Sequence, residues 1–316
     1  MQMDLFCIAV MTFSIVSTAF AWILWKIYGK DNVIKETIEV YPPENCNSLE
    51  VGWLYKGEVN NESIVSLLIY LADKGYLKIE DNGRIDTKFI KLKDYDGENE
   101  IEEKFLGEIF KNGSEVKVSE LSGNFAEVFN DIKEKYFMKN EEIYENSANE
   151  KSYWVKILMV FIFVFSISKF VLAKLNIIDD AAIGEYLLTF IVGLICIVFL
   201  ILFIKIMPKR TAYGTEMLEK ITGFKNFIYN SDRNKLKEIV NNNPKYFSNT
   251  LAYSYTLGEA SRWIKKFETI INEVPDWYES NNRSFNNFNS FMIYTMTLII
   301  INMTSTTSKI EVEKKY

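Results

Sequence analysis

The sequence predicts a mainly α membrane protein: three transmembrane helices, a winged-helix-like α+β cytoplasmic domain and a second helical cytoplasmic block. Three observations predict it. Apolar residues gather in runs too long for surface helices. The polar stretches between those runs carry helix caps and a hairpin signal, and the basic residues collect at one side of the apolar runs.

The runs from Leu5 to Tyr28, from Trp154 to about Leu172 and from Tyr186 to Ile206 each approach the ~20 apolar residues that cross a bilayer as helix. They divide the 316 residues into a first transmembrane helix (1–28), a tandem winged-helix-like cytoplasmic domain (29–152) and a transmembrane hairpin (153–207). A cytoplasmic helical block (208–283) and an apolar interfacial segment with a tail (284–316) complete the division.

Asp4 precedes the first run and Lys26, Lys30 and Lys35 follow it. This order reverses the basic start of a signal peptide, so the run reads as a retained anchor. The positive-inside rule then puts the N-terminus outside and the following segment in the cytoplasm. Lys151 and Lys156 before the second run, and Lys205, Lys209 and Arg210 after the third, agree, whereas the loop between them carries Asp179, Asp180 and Glu185. The predicted location is a bacterial cytoplasmic membrane, with the main soluble domains on its inner face. Lys169 is the charged residue inside a run; with Lys174 it lies toward the outer end, where a long stem carries the ammonium to the headgroups. With no acidic partner or proline-broken helix read for them, three spans make a poor substrate pathway unless the protein oligomerises.

In the first cytoplasmic stretch, Ile64, Leu67, Leu68 and Leu71 form one helical face and Gly75 is placed as a C-terminal cap. "YLKIE" and "TKFIKLK" read as two strands joined by a tight Asn82–Gly83 turn, and a helix followed by a hairpin suggests a winged helix. A looser copy follows: a helix with Phe105, Ile109 and Phe110, a strand in "SEVKVSEL", and a last helix over about 124–137 for which Ser119 is the expected cap. No nucleic-acid partner is expected, because between Asp31 and Lys151 there are 27 Asp and Glu against 15 Lys and Arg, a field that repels phosphate. The acidic run 94–104 lacks the glycine position and terminal glutamate of a calcium loop and reads as a solvated linker.

After the third run, a helix begins near Thr211 and a second is capped by Ser231. Tyr253, Leu257, Ala260, Ile264, Phe267 and Ile271 then recur at alternating intervals of four and three, which places them on one helical stripe. Gly258 sits inside that pattern and predicts a close approach by a neighbouring chain segment. The stripe reads as a packing seam, the alternative being a docking groove with Trp263 and Lys265 or Lys266 exposed. "FMIYTMTLIII" is apolar for about 11 residues, roughly 16 Å as helix, too short to span. It reads as an interfacial segment or a buried helix, with a tilted fourth span including Phe285 and Phe288 as the alternative.

Histidine is absent and the three cysteines, Cys7, Cys46 and Cys196, are far apart. Imidazole bases, imidazole metal ligands, disulfide frameworks and zinc CxxC pairs are therefore unavailable. P-loop, dinucleotide-glycine, nucleophile-elbow and HExxH patterns are missing as well. No cofactor or metal site is read, and no catalytic residue.

The motifs "YPPE", "EVGWLYKG" and "LLIYLADKGYLKIED", with "GFKNFI", "RNKLKEIVNNNPKYF", "LAYSYTLGEASRWIKKF" and "PDWY", cover most of the chain. It resembles a bacterial predicted membrane-protein family, domain-of-unknown-function family twenty-two-oh-seven, which includes the YciQ-like proteins. The resemblance singles out Pro42, Pro43, Gly75, Gly223, Phe224, Lys225, Tyr253, Gly258, Trp263 and Phe267 as motif or packing positions. It implies a span, a winged-helix-like region, a hairpin of spans and a second cytoplasmic block, without an established activity. Family members carry an extracytoplasmic β-rich domain before the first span and a Gly/Ser-rich tail, so a chain that starts at the span is expected to lack that N-terminal domain. The expected function is a non-enzymatic scaffold or signalling component that touches the lipid bilayer, binds a cytoplasmic protein partner and can form a homo-oligomer. A subunit of an oligomeric transporter or channel is the alternative. Enzymes using Asp, Glu, Lys or Tyr chemistry, and membrane-tethered DNA regulators, rank lower.

Overall fold

The computed structural model describes residues 4–82, 86–121, 125–175, 183–280 and 284–304. α1 (Leu5–Leu24) opens the chain. The soluble stretch after it carries α2 (Ser48–Lys56), α3 (Asn61–Asp73), β1 (Leu77–Asp81), β2 (Lys88–Lys91), α4 (Glu100–Ile109), β3 (Glu115–Lys117), α5 (Phe125–Met138) and the single turn α6 (Asn140–Ile143). An apolar pair follows, α7 (Asn146–Lys174) and α8 (Ile183–Ile206). The remainder holds α9 (Ala212–Asn230), α10 (Arg233–Asn242), α11 (Tyr246–Thr256), α12 (Ala260–Phe267), β4 (Tyr278–Ser280), α13 (Phe285–Ser290) and α14 (Met296–Thr304). Two compact units result: Met1–Val33 with Glu141–Thr215, and Ile34–Asn140 with Glu216–Tyr316. Residues from before and after the apolar pair thus share the second unit.

In the first unit, three helices are long and apolar enough to cross a membrane: Leu5–Gly29, Asn146–Lys169 and Gly184–Ile206. α1 buries Cys7, Val10, Ser14, Ser17, Ala21 and Leu24, alternating three and four residues apart. This is the spacing of a left-handed helix seam, and its small side chains let backbones approach closely. Ala21 and Leu24 meet Val155, Ile162, Leu200 and Met207 in one cluster. The Ser14 hydroxyl donates to the Val10 carbonyl at 2.8 Å, so its polarity is satisfied inside its own helix. α7 and α8 also approach closely, because a Cβ at Gly193 would collide with the Ser166 side chain. Ile15, Val16, Phe161, Leu194 and Val198 face outward, and hydrocarbon is the solvent in which such faces cost nothing.

Lys169 does have an acidic partner, contrary to the sequence reading. Its Nζ lies 2.8 Å from Asp4 Oδ2, while the Asp4 amide donates to Glu185 Oε2 at 2.8 Å. Asp4 also caps α1 by accepting from the Phe6 amide, so the ammonium is met at a helix end rather than mid-span. The side chain of Lys174, and Asp179 and Asp180, lie outside the described residues.

In the second unit, α2 lies against α3 and α11. A Cβ on Gly52 would collide with Ser63 Oγ and Thr256 Oγ1, so glycine is what permits the crossing. Small hydroxyls line the contact and satisfy one another: Thr256 Oγ1 donates to Ser63 Oγ at 2.9 Å and Ser66 Oγ to Ser48 Oγ at 2.7 Å. α2 starts with a full capping box between Asn47 and Glu50, and α3 is capped by Asn60.

The sheet has the order β3-β2-β1-β4. β1 and β2 are antiparallel with Ile79 opposite Phe89 and Glu80 opposite Lys88, which buries Leu77, Ile79 and Phe89 on one face. That register corrects the expected two-residue Asn82–Gly83 turn: closing at Glu80–Lys88 requires a longer connection, and Gly83 itself lies outside the described residues. β4 joins β1 in parallel, with Ile79 beside Tyr278, a pairing that spans almost two hundred residues of chain. Phe288, Phe291, Met296, Ile299 and Met303 are buried, with α14 against α3 and α5. Of the readings of "FMIYTMTLIII", the buried helix is the one observed.

Several local expectations are corrected. The stripe from Tyr253 to Ile271 falls on two helices, not one. α11 ends in a Schellman motif, with the Glu259 amide on Ser254 O at 2.8 Å and the Gly258 amide on Tyr255 O at 3.0 Å. Gly258 has φ +78° with nothing within 4 Å of where its Cβ would sit. Backbone handedness, not a close neighbour, therefore explains that glycine. Gly75 caps α3 in the same way at φ +79°. Asp232, not Ser231, caps α10 through the Lys235 amide. Ser119 falls within a 3₁₀ turn, Val118–Glu120, ahead of the α5 start.

The two glycines are separable by experiment. Gly258→Ala forces an L side chain into the left-handed region at about 1–2 kcal/mol, whereas Gly52→Ala overpacks a buried crossing at about 1–3 kcal/mol and parts the helices that line the cavity below. Thermal unfolding of the detergent-purified full chain should show both variants less stable than the parent. Only Gly52→Ala should perturb near-ultraviolet circular dichroism at the temperature where the parent is folded.

Candidate functional site

The second unit holds a surface cavity of about 680 Å³. Part of its rim is the irregular strap 37–47, which runs ahead of α2 and turns at Glu44–Asn45. Pro42 and Pro43 remove two backbone donors and fix φ at two positions of the strap, and Asn45 turns it at φ 59°, a left-handed conformation that asparagine tolerates. Two tyrosines of α11 and its approach hold the strap down: the Tyr246 hydroxyl donates to Val40 O, and Tyr253 Oη to Cys46 O at 2.8 Å. The Tyr41 ring packs edge-on to Tyr246 at 5.2 Å.

Beneath the strap, Asn47 joins three segments. Its Oδ1 accepts from the Glu50 amide at 2.9 Å, its amide donates to Glu50 Oε2 at 2.9 Å, and its Nδ2 donates to Glu102 Oε1 at 2.7 Å. Glu102 is 7% exposed; its other oxygen accepts from Tyr95 Oη at 3.0 Å. Tyr136 Oη reaches Glu50 Oε1 at 3.4 Å. Tyr70 and Asp73 of α3 and its C-cap Lys74 line the space, as do Asn249, Thr250 and Tyr253 of α11. Glu44 and Glu98 are exposed at the edge. Five carboxyl groups and one ammonium thus line the space.

Burial sets the acid–base character here. Desolvation pushes the Glu50 carboxyl above its ordinary value, against its hydrogen bond from the Asn47 backbone. The Asp73 carboxyl rises for the same reason, despite the hydroxyl of Ser248. Burial, then the charge of Glu50, pushes the Cys46 thiol up to about 11, so at neutral pH it is a thiol and not a nucleophile. The phenols of Tyr70 and Tyr253 are raised by burial and by neighbouring charge, and that of Tyr95 to about 12. The arrangement is suited to hydrogen bonding and to holding positive charge.

The residues singled out from the sequence separate. Pro42, Pro43 and Tyr253 line the cavity. Gly75 borders a smaller cavity of about 360 Å³, where Ser248 links Asp73 to the Trp277 indole. Trp263 and Phe267 are wholly buried: the Trp263 indole donates to Thr250 Oγ1 at 2.9 Å and packs on Phe267 at 4.8 Å. The docking groove with Trp263 exposed is therefore ruled out by its burial. Lys266 ends α9, donating to Tyr229 O and Ser231 O at 2.9 and 2.7 Å, which matches a cation to a helix C-terminus. Gly223 lets the strap's Thr37 and Glu39 lie on α9, Phe224 is buried, and Lys225 donates to Tyr55 Oη at 3.2 Å. Sequence reasoning missed Asn47, Glu50, Tyr70, Tyr95 and Glu102. A readable signal existed for the first two, since "NSLE" is a capping-box spacing.

The family model described as "Predicted membrane protein (DUF2207) C-terminal domain" matches residues 38–267, nearly three quarters of the chain, and includes every residue of the larger cavity. No curated protein and no solved structure matches.

Glu50 yields a test in pH. Its folded value lies above 4.5, so its contribution to stability is complete below that pH and is lost as pH rises through the folded value. In Glu50→Gln, which keeps an oxygen to accept from the Asn47 amide, that loss disappears. The fall in melting temperature of the full chain between about pH 5 and 8 should be shallower in the variant; an identical slope would mean that the carboxyl is solvated.

Proposed function

Because the chain belongs to the DUF2207 family of predicted membrane proteins, we propose that it is a non-enzymatic scaffold or signalling component of the bacterial cytoplasmic membrane. In this reading the N-terminus is outside, and the second unit engages a protein partner at the cytoplasmic face. One observation carries the reading: an open cavity of about 680 Å³ whose walls come from the soluble stretches on both sides of the apolar pair, with the carboxyl of Glu102 buried among its lining residues. Such a site binds by shape and polar contacts. Its thiol and phenols are held protonated, which suits recognition better than covalent chemistry.

The sidedness rests on the basic residues that flank the spans. In the first unit Lys209 pairs with Glu145 at 2.8 Å, and Lys26 stands over the Trp22 ring at 5.3 Å, an arrangement suited to a headgroup layer.

Two measurements test the proposal. A cysteine at Asp94, whose side chain is 91% exposed, should react with an impermeant maleimide in inverted vesicles and stay unlabelled in spheroplasts; the opposite pattern ends the cytoplasmic assignment. A photo-crosslinking amino acid at the exposed Tyr41 should give discrete protein adducts in cells, and one at Lys237, on helix α10, which contributes no residue to the cavity lining, should give none. Equal adducts at both positions, or none at Tyr41, would refute partner binding at the cavity.

A further inference from the structure

We propose that the larger cavity takes a cationic group, the ammonium of a lysine or the guanidinium of an arginine presented by the partner polypeptide. This inference rests on the partner-binding reading above and adds the chemistry of recognition to it.

The first argument is the company kept by two carboxyl groups. Glutamates are seldom as buried as Glu102, at 7% exposure, unless a cation accompanies them. Here the two oxygens are met by neutral donors, the Asn47 amide nitrogen at 2.7 Å and the Tyr95 hydroxyl at 3.0 Å. Glu50 next to it is likewise met by the Asn47 backbone and the Tyr136 hydroxyl. Among the described residues neither carboxyl forms an ion pair. Both face the same open cavity. Lys74 lines the same cavity and Lys139 acts on Glu50 from a longer distance, so what an incoming cation would supply is a direct partner at ion-pair distance.

The second argument is the surface around them. Tyr70, Tyr95 and Tyr253 line the walls, and their π faces attract cations within about 6 Å of the ring centre. The protein already uses this contact nearby: Lys74 Nζ stands 5.3 Å from the Tyr70 ring centre. The side chains of Asn45 and Asn249 also line the space and carry amide oxygens able to accept, whereas that of Asn99 caps α4. The mixture of carboxylate, aromatic face and amide suits an ammonium or a planar guanidinium.

The third argument concerns access and the kind of cation. Glu44 and Glu98 are exposed at the edge, where uncancelled charge steers a cation inward. No three His, Cys, Asp or Glu side chains among the described residues are spaced to hold a metal ion, so the fit is to an organic cation. Free polyamines carry the same group. The volume and the open edge favour a side chain delivered on a polypeptide, with room for its neighbours.

The test uses the purified full chain in detergent and calorimetric titration. Three probes are compared: an end-blocked Gly-Lys-Gly-Arg-Gly peptide, the same peptide with acetyl-lysine and citrulline, and spermidine. The charged peptide should bind, weaken as salt rises, and exceed its neutral analogue by about tenfold or more. Glu102→Gln and Glu50→Gln, which keep the side-chain shape and one of the two acceptor oxygens, should each weaken it by a similar factor. Glu98→Gln, at the rim, should act mainly through the salt dependence. Melting curves establish that each variant is folded, and the rim variant keeps the test decisive if a floor variant is not.

Equal binding of the charged and neutral peptides, or binding unchanged in both floor variants, overturns the cation pocket. Loss of all binding while Tyr41 adducts persist in cells also overturns it and leaves the partner reading standing. Spermidine binding without peptide binding or Tyr41 adducts supports the cation chemistry with a small amine as its source, and refutes the partner.

Discussion

The second unit depends on one missing methyl group. α2 follows the first span, whereas α11 follows the third, so the core forms only if these helices meet after a membrane hairpin has intervened. Gly52 is where they meet, and a side chain there would occupy the space of Ser63 Oγ and Thr256 Oγ1. Close approach brings small hydroxyls into a dry contact, and each finds its partner across the helices. Once the crossing is set, α2, α3 and α11 stand at the separation that leaves the cavity between their ends and the strap.

Polar groups then hold what apolar packing leaves open. Asn47 is at once the cap of α2, the end of the strap and the donor to Glu102. A single side chain therefore couples three segments, and a network so connected is costly to satisfy in part. Burial of Glu50 and Glu102 opposes stability. Neither carboxyl has a cation of the protein at ion-pair distance among the described residues, although Lys74 lines the same cavity, and strain of this kind, retained against folding energy, collects at functional sites.

The membrane unit follows different physics. Lipid gives no hydrophobic reward for bringing apolar helices together, so packing of small residues provides it. The three-four alternation from Cys7 to Leu24 and the Gly193–Ser166 contact serve this role. The charges gather at the ends of the bundle, where Asp4 answers Lys169. An isolated intramembrane ammonium reads as a pathway; one held at a helix cap reads as an anchor to the headgroup layer.

Composition and local spacing determined the three apolar helices, because crossing hydrocarbon demands only length and apolarity, and determined the C-terminal end of α3 and the existence of β1 and β2, because caps and alternation act within a few residues. The family resemblance was legible for the same reason, its motifs being contiguous. Only the tertiary structure decided that β4 joins β1, that Trp263 faces inward while Tyr253 reaches the strap, that Gly52 and not Gly258 marks the close approach, and that Glu50 and Glu102 share a cavity. Those outcomes join residues far apart in the chain, and no periodicity within one segment records which distant segment will remove its side chains from water.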